Sequence, residues 1–588
     1  MTFWNSTLTS SRTVLISTAA LTLCACGSSE TLSPNALIST AQGTVQGVTT
    51  KNPEIFNFKG IPYAQAPVGK ARWAAPQPAP KWDTTFTANE FGNRCMQPSG
   101  TENGFLSRLI EGHGLGWFKT FLINRVTAAQ KPAPMSEDCL FLNVRTGNLK
   151  GQDKHPVMVW IHGGAHQFGS GSLNYYQSNG LVEKDVVLVT INYRLGVMGY
   201  MAHPALSEND PNGVSGNYGT LDQIAALKWV KDNISAYGGD PNNVTIFGES
   251  AGGWSVTELM ASPLAKNLFH KAIGQSGAST YHLGQMEGDG LGWPSGYDGG
   301  AQVEKALGLT NPSADELRAI PAQDVQNVIT EKMSDAFHHI RDGYVFPDNV
   351  GLSFAKGVHN KVPTLFGYNA DEGTLFFSGD PQPTVWLPDV KAGDRDELSL
   401  QLEKAFPTQA NKIVDLYNLD KDFEAGGTQM MGDEIFGVNV RFVTQQNEAQ
   451  GQDSYLYHFS RIAPSKNQTL GAFHAAEIPF VFASYETILG YSDEDEKLTE
   501  LLTSYWTNFA KTGNPNGNDL PNWPQYNGQN WLHFSGNTGQ KITQLSEIRK
   551  TKLDALEEGL IFKLESLETI QAPQNSPEIV ESDSQSNE

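Results

Sequence analysis

The chain predicts an α/β fold, a large, mostly parallel twisted sheet flanked by helices, and three observations point to it. Short runs of continuous apolarity, such as Val157-Met158-Val159-Trp160-Ile161 and Asp185 to Asn192, have the length and β-branching of strands buried on both faces. Between such runs lies helical spacing, as in Leu221 to Val230, where Ile224, Leu227 and Val230 share a face. The order strand, loop, strand, helix, strand, sharp turn, helix then requires the crossovers of a parallel sheet.

The elements follow in order. Arg12 precedes an apolar run, Thr13 to Leu23, which is too short to span a bilayer and fits the core of a signal peptide. It ends Leu23-Cys24-Ala25-Cys26-Gly27-Ser28-Ser29, which resembles a bacterial lipoprotein signal. That resemblance implies removal of residues 1–25, acylation of Cys26, and a lipid-anchored protein of the cell envelope. An ordinary signal peptide cut near the same place is the alternative. Residues 26–42 read as a polar tether. Thr44 to Val48 and Ile55 to Phe58 read as early strands joined by a hairpin. Ser136 to Val144 leads into a further strand, and Tyr237-Gly238-Gly239-Asp240-Pro241 turns the chain into the run at Val244. Gly284 to Gly357 is rich in loops and short helices, as an insertion that shapes a pocket would be. Val362 to Gly367 and Ser454 to Phe459 are later strands, and Leu498 to Ala510 is a helix closed by Lys511-Thr512-Gly513-Asn514-Pro515. The catalytic-type domain is expected over 43–570. Residues 571–588 are acidic and rich in Ser, Gln and Asn, and are expected to be a disordered tail.

The chain has 588 residues and a formal net charge of -22, which argues against nucleic-acid binding, since that needs a basic face. No stretch after the signal is long and apolar enough to span a membrane. With Cys24 removed and Cys26 acylated, Cys95 and Cys139 remain, and two thiols in an exported chain predict a disulfide. No residue spacing matches a metal site, and no cofactor is implied.

The chemistry gathers at Val244-Thr245-Ile246-Phe247-Gly248-Glu249-Ser250-Ala251-Gly252-Gly253. A strand feeding Gly-x-Ser-x-Gly and then a helix predicts a strained turn that lifts the serine hydroxyl above the sheet edge. The helix N-terminus behind Ser250 favours the negative charge its attack would generate. The bland alternative is a Gly/Ser turn with no chemistry. A nucleophilic serine needs a base, and the base needs an orienting carboxylate, in the order serine, acid, histidine. Asp371-Glu372 follows the strand at Val362, and His474 follows the strand at Ser454, each past a carboxyl end.

Six segments together then resemble the type-B carboxylesterases, the group of cholinesterases and bile-salt-activated lipases. They are Phe58-Lys59-Gly60-Ile61-Pro62-Tyr63-Ala64, Glu137-Asp138-Cys139-Leu140, His162-Gly163-Gly164, Gly248 to Gly253, Asp371-Glu372-Gly373 and His474-Ala475-Ala476-Glu477. The resemblance implies an α/β-hydrolase fold with Ser250 as nucleophile, Glu372 as acid and His474 as base. It also implies the pairing of Cys95 with Cys139, and an oxyanion hole of backbone N–H groups at Gly164, Ala165 and Ala251, with Gly163 allowing the turn. Each such donor contributes roughly 3 kcal/mol in comparable sites. Ala165 stands where the family usually has glycine, so its methyl either narrows the pocket or is tolerated because the backbone supplies the donor. Asp371 is the alternative to Glu372, and a satisfied structural histidine is the alternative reading of His474. Glu249 and Ser276 are expected near the site as supporting groups, or as structural ones; Trp254 walls the pocket or belongs to the core.

The function expected is hydrolysis of small to medium carboxylic esters through an acyl-enzyme. The activity is expected to rise through about pH 6 to 7 as His474 loses its proton. A lipase or an esterase of aromatic or xenobiotic esters is the alternative of the same fold. A catalytically dead binding module is the alternative of another class; labelling by a fluorophosphonate separates it. The expected partners are a small-molecule ester and, through the N-terminal lipid, a membrane.

Overall fold

The computed structural model describes residues 31–98, 109, 111–114, 132–149, 151, 153–280, 284–287, 294–330, 333, 336–376, 392–462, 467–485, 491–535, 541–544 and 547–571. Among these residues, thirteen strands form one sheet. In chain order they are β1 (Thr31–Thr40), β2 (Gly43–Thr49), β3 (Phe56–Pro62), β4 (Phe86–Thr87), β5 (Phe141–Thr146), β6 (His155–Ile161), β7 (Val187–Ile191), β8 (Gly239–Glu249), β9 (Lys271–Gln275), β10 (Thr364–Asn369), β11 (Ser454–Phe459), β12 (Asn530–Phe534) and β13 (Lys541–Gln544). Across the sheet they run β1-β2-β3-β5-β7-β6-β8-β9-β10-β11-β12-β13, with β4 beside β2. From β7 to β12 every neighbour is parallel; the strands outside that block pair antiparallel, apart from β4 on β2.

The alternation of side chains along a strand explains why the central strands are apolar throughout. In β6, Val157, Val159 and Ile161 enter the core on one face, while Met158 and Trp160 enter the core on the other. Helices α1 (Tyr218–Asn233), α2 (Ala251–Ala261), α3 (Val438–Ala449) and α5 (Glu547–Gln571) cover the first face, and α4 (Asp493–Thr512) covers the second. The ends of α4 are set by its own residues. Asp495 accepts from the Ser492 N–H and hydroxyl at 2.8 and 2.9 Å, four acidic residues fill the first turn, and Gly513 closes the helix at φ 82°. No helix of the described residues is long and apolar enough to cross a membrane.

One expectation needs correction. Residues 26–42 were expected to be a polar tether, but Thr31–Thr40 is an edge strand paired antiparallel with β2. An edge strand has one neighbour and one covered face, so two buried contacts, Ser33 and Ala36, and the backbone ladder suffice without an apolar run. The domain therefore begins before residue 43. At the other end the long helix α5 follows β13, and the expected tail lies outside the described residues beyond Gln571. The signal segment and Cys26 also lie outside them.

Candidate active site

Ser250, Glu372, His474 and the loop from His162 to Ala165 lie at the carboxyl rim of the parallel block. The chain leaves β8 at Glu249 and enters α2 at Ala251, so Ser250 alone makes the turn, at φ 58° and ψ -125°. Such a backbone costs on the order of 1–3 kcal/mol and persists only when its surroundings hold it. Here the Ser250 N–H donates to the Gln275 carbonyl at 2.9 Å, and its own carbonyl accepts from Trp254 N–H at 2.9 Å. Glycine is required on both sides: a Cβ on Gly248 would meet the Gly252 backbone, and one on Gly252 would strike the Ile161 carbonyl.

β10 ends at Asn369, and the turn after it carries Asp371 and Glu372. They separate cleanly. Asp371 Oδ2 accepts from the Ala472 N–H at 2.7 Å and braces the loop, whereas Glu372 Oε2 meets His474 Nδ1 at 2.7 Å. The other oxygen of Glu372 accepts from the Asn369 N–H at 2.6 Å, which fixes the carboxylate. The opposite nitrogen of His474, Nε2, lies 3.1 Å from Glu249 Oε1, close as an ion pair but not aligned as a hydrogen bond.

His474 is therefore a buried imidazole between two buried carboxylates. Burial opposes its charge, but Glu249 and Glu372 outweigh it and push its pKa up to about 9. Burial pushes Glu249 up to about 8, with His474 pulling the other way and Glu477 and Glu372 adding to the rise. One proton is thus held tightly within this group at neutral pH. The rings of Phe436 and Phe376 cover the imidazole, at 4.6 and 5.1 Å between centroids.

On the other side of Ser250 lies the loop after β6. Gly164, Ala165 and His166 all have positive φ, of 104°, 52° and 57°. A Cβ on Gly163 would come within 3.0 Å of the Ser250 Cβ, so this loop passes directly beside the serine. Among the described residues, the N–H groups of Gly164, Ala165 and Ala251 donate to no backbone carbonyl. Ala165 adopts its left-handed backbone with its methyl in place and is exposed, so the methyl is accommodated. His162 opens the loop, stacked on Tyr193 at 4.5 Å with Nδ1 2.8 Å from the Gly163 carbonyl. Ser276 is buried, with φ 45°, in the segment whose Gly277 abuts the Ser250 carbonyl. Trp254 is half-buried and packs against the first core. Cys95 and Cys139 are bonded, with Cα atoms 4.9 Å apart.

Two parts of the site went unseen in the sequence. One is a buried polar chain behind the histidine. Asn369 Nδ2 donates to Glu477 Oε2 at 2.7 Å, Gln275 Nε2 donates to Glu477 Oε1 at 2.9 Å, and Trp506 Nε1 donates to Gln275 Oε1 at 3.0 Å. Glu477 stands in the motif around His474, which was its only signal. The other is Phe436, which comes from a π-helical turn, Asp433–Gly437, just before α3. That turn is held by Asp433, which pairs with Arg549 of α5 at 3.0 Å and accepts from Tyr417 at 3.0 Å. The stack leaves no mark in local sequence.

The chain is 34% identical over 508 residues to the fumonisin B1 esterase of Sphingopyxis macrogoltabida, covering 84% of this chain and 86% of that one. It is 35% identical over 505 residues to the para-nitrobenzyl esterase of Bacillus subtilis (strain 168), covering 83% and 92%. A solved PNB esterase structure superposes with a TM-score of 0.70 at 33% identity, over 88% of this chain and 100% of that one. The sequence pattern of the carboxylesterase family matches residues 34–555, so the chain belongs to that family, with the α/β-hydrolase fold and the hydrolysis of carboxylic esters as its activity.

Proposed function

We propose that this carboxylesterase works through Ser250, His474 and Glu372 by an acyl-enzyme route, on small to medium esters. The observation that carries the reading is the 2.7 Å contact of Glu372 with His474, on the same rim as the strained Ser250. His474 Nε2 takes the Ser250 hydroxyl proton as Oγ attacks the ester carbonyl carbon. The N–H groups of Gly164, Ala165 and Ala251 hold the resulting oxyanion. As the tetrahedral intermediate collapses, the ester C–O bond breaks and Nε2 returns the proton to the departing alcohol. Water then repeats the sequence on the acyl group and frees Ser250. Glu372 accepts from Nδ1–H throughout, fixing the tautomer and stabilising the imidazolium.

Nε2 must be unprotonated to act, yet it faces Glu249 at 3.1 Å. Loss of the shared proton dissolves that pairing and leaves Nε2 for the serine. The acid limb of the pH–rate profile therefore lies above the pH 6 to 7 expected of an ordinary imidazole, toward the value of about 9 set by the two carboxylates. The test of the whole reading is Ser250→Ala, followed with a short-chain p-nitrophenyl ester and a fluorophosphonate probe. Loss of both turnover and labelling supports it. Turnover or labelling retained in the variant places the nucleophile elsewhere.

A further inference from the structure

We propose that His166, Glu258 and His339 form a binding site for a divalent transition-metal ion of the zinc class, behind the oxyanion loop. The three residues come from three separate pieces of chain. His166 ends the positive-φ run beside Ser250, Glu258 lies on α2, and His339 precedes the short strand Ile340–Arg341 of the insertion. Each offers one ligand atom, and these atoms all lie within 4.8 Å of one another. All three side chains are buried, at 2%, 2% and 3% exposure, which sets them apart from the loose surface groupings of acidic side chains that need no ion.

The detailed geometry suits ligands of a common ion better than a hydrogen-bonded pair. His339 Nε2 and Glu258 Oε2 lie 2.8 Å apart, but they are not aligned as donor and acceptor, and neither atom has a hydrogen-bond partner among the described residues. Two ligands of one ion can sit side by side in this way without bonding to each other. Around a tetrahedral zinc ion the ligand atoms stand roughly 3.4 Å apart, given bonds of about 2.1 Å. That lies between the closest and widest separations here, so rotations of the side chains complete the shell. His166 is held on two sides: its Nε2 meets Ser255 Oγ at 2.9 Å, that hydroxyl accepts from Gln223 Nε2 at 2.9 Å, and the ring also meets the Ala251 backbone, a contact the ion would replace. Such outer partners fix the rings of metal-bound histidines.

Charge points the same way. Among the described residues, no lysine or arginine lies within ion-pair distance of Glu258; its neighbour is His339 Nε2, at 2.8 Å. A carboxylate this deep costs several kcal/mol to desolvate unless a cation compensates it. Two imidazoles and one carboxylate favour zinc, cobalt or nickel over calcium or magnesium, which prefer oxygen shells. The aromatic rings of Tyr200 and Phe346, 4.7 and 5.8 Å from His339, keep the surroundings apolar. The ion would not touch the reacting ester. It would fasten the oxyanion loop to the helix that carries Ser250 and to the insertion.

The experiment uses the full chain without a polyhistidine tag, stripped with dipicolinate and titrated with Co2+ and Zn2+. The expected result is one equivalent bound per chain, visible d–d bands for cobalt, and a raised melting temperature with zinc but not with magnesium. Glu258→Gln and His339→Asn should abolish the bands, and Ser255→Ala should weaken binding by about ten- to a hundredfold. If those variants do not fold, the titration of the unaltered protein still decides. No bands and no thermal response at one equivalent would overturn the site, leaving a metal-free core cluster. Bands that survive in both variants would overturn it equally, since the ion would then sit elsewhere.

Discussion

Two buried histidines stand on loops that follow parallel strands, His162 directly after β6 and His474 on the longer loop after β11, and their surroundings drive them in opposite directions. His162 stacks on Tyr193, and burial pulls its pKa down to about 4 despite the Gly163 carbonyl. His474 is buried to the same degree, yet Glu249 and Glu372 lift it to about 9. Burial alone makes an imidazole neutral and inert. Burial with fixed carboxylates makes one that holds a proton and can pass it on. Under the proposed mechanism, the difference between a structural and a catalytic histidine lies in the partners rather than in the depth.

The sharpest way to break this comparison is to remove each ring. His474→Ala should lower kcat by about 10⁴-fold or more, as removing the base of a serine hydrolase does. His162→Phe should cost less than the roughly 10²-fold expected at minimum of a general base. Equal losses in the two variants, measured on one p-nitrophenyl ester with folding checked by circular dichroism, would erase the distinction. Glu372→Gln comes next. It keeps the shape but removes the charge and the tautomer control, and should lower kcat by about 10⁴-fold. Asp371→Asn should act on stability alone, because its carboxylate serves the Ala472 N–H.

Glu249→Gln sharpens the comparison through pH. Removing this carboxylate takes away the first of the charges that lift His474, so the acid limb of kcat/KM should move to lower pH. On the acid side the rate should rise by up to about tenfold. An unmoved limb would mean that Glu249 does not share the proton. The sign for stability follows from the same shift. A histidine raised from 6.5 to about 9 on folding contributes stability that is full below pH 6.5 and is lost as pH rises through about 9. The melting temperature of the unaltered protein should therefore fall between pH 6.5 and 9, and less steeply in Glu249→Gln.

The sequence made one half of this site readable and hid the other. Ser250 was legible because Gly248 and Gly252 must be glycine for strand and helix to meet, and this leaves a pattern along a few adjacent residues. Glu372 and His474 were legible because each follows a strand of the parallel block, at the end where such sheets place their chemistry. Choosing Glu372 over Asp371 took the motif; in the structure Glu372 meets His474, whereas Asp371 accepts from a backbone N–H. Phe436, Gln275 and Trp506 were not legible. They reach the site through packing between residues far apart in the chain, and nothing local distinguishes them from core. The same holds for His166, Glu258 and His339, whose spacing matches no metal motif. The edge strand Thr31–Thr40 was missed because its partner is backbone, and a ladder of backbone hydrogen bonds leaves little trace in side-chain polarity.

The smallest effect expected is at Phe436. Its ring lies almost parallel to the His474 imidazole, at 4.6 Å and an interplanar angle of 28°. The face of an aromatic ring is electron-rich, so it favours the charged imidazolium by about 0.5–1 kcal/mol, a few-fold in the protonation equilibrium. The position depends on the π-helical turn Asp433–Gly437, which α5 anchors through Arg549 and Asp433. Phe436→Leu removes the ring and keeps an apolar side chain over the histidine. The acid limb of kcat/KM should then move to lower pH, in the same direction as in Glu249→Gln but by less. A limb that stays in place while kcat falls at every pH would make Phe436 a wall that aligns the imidazole, and the two carboxylates would alone account for its charge.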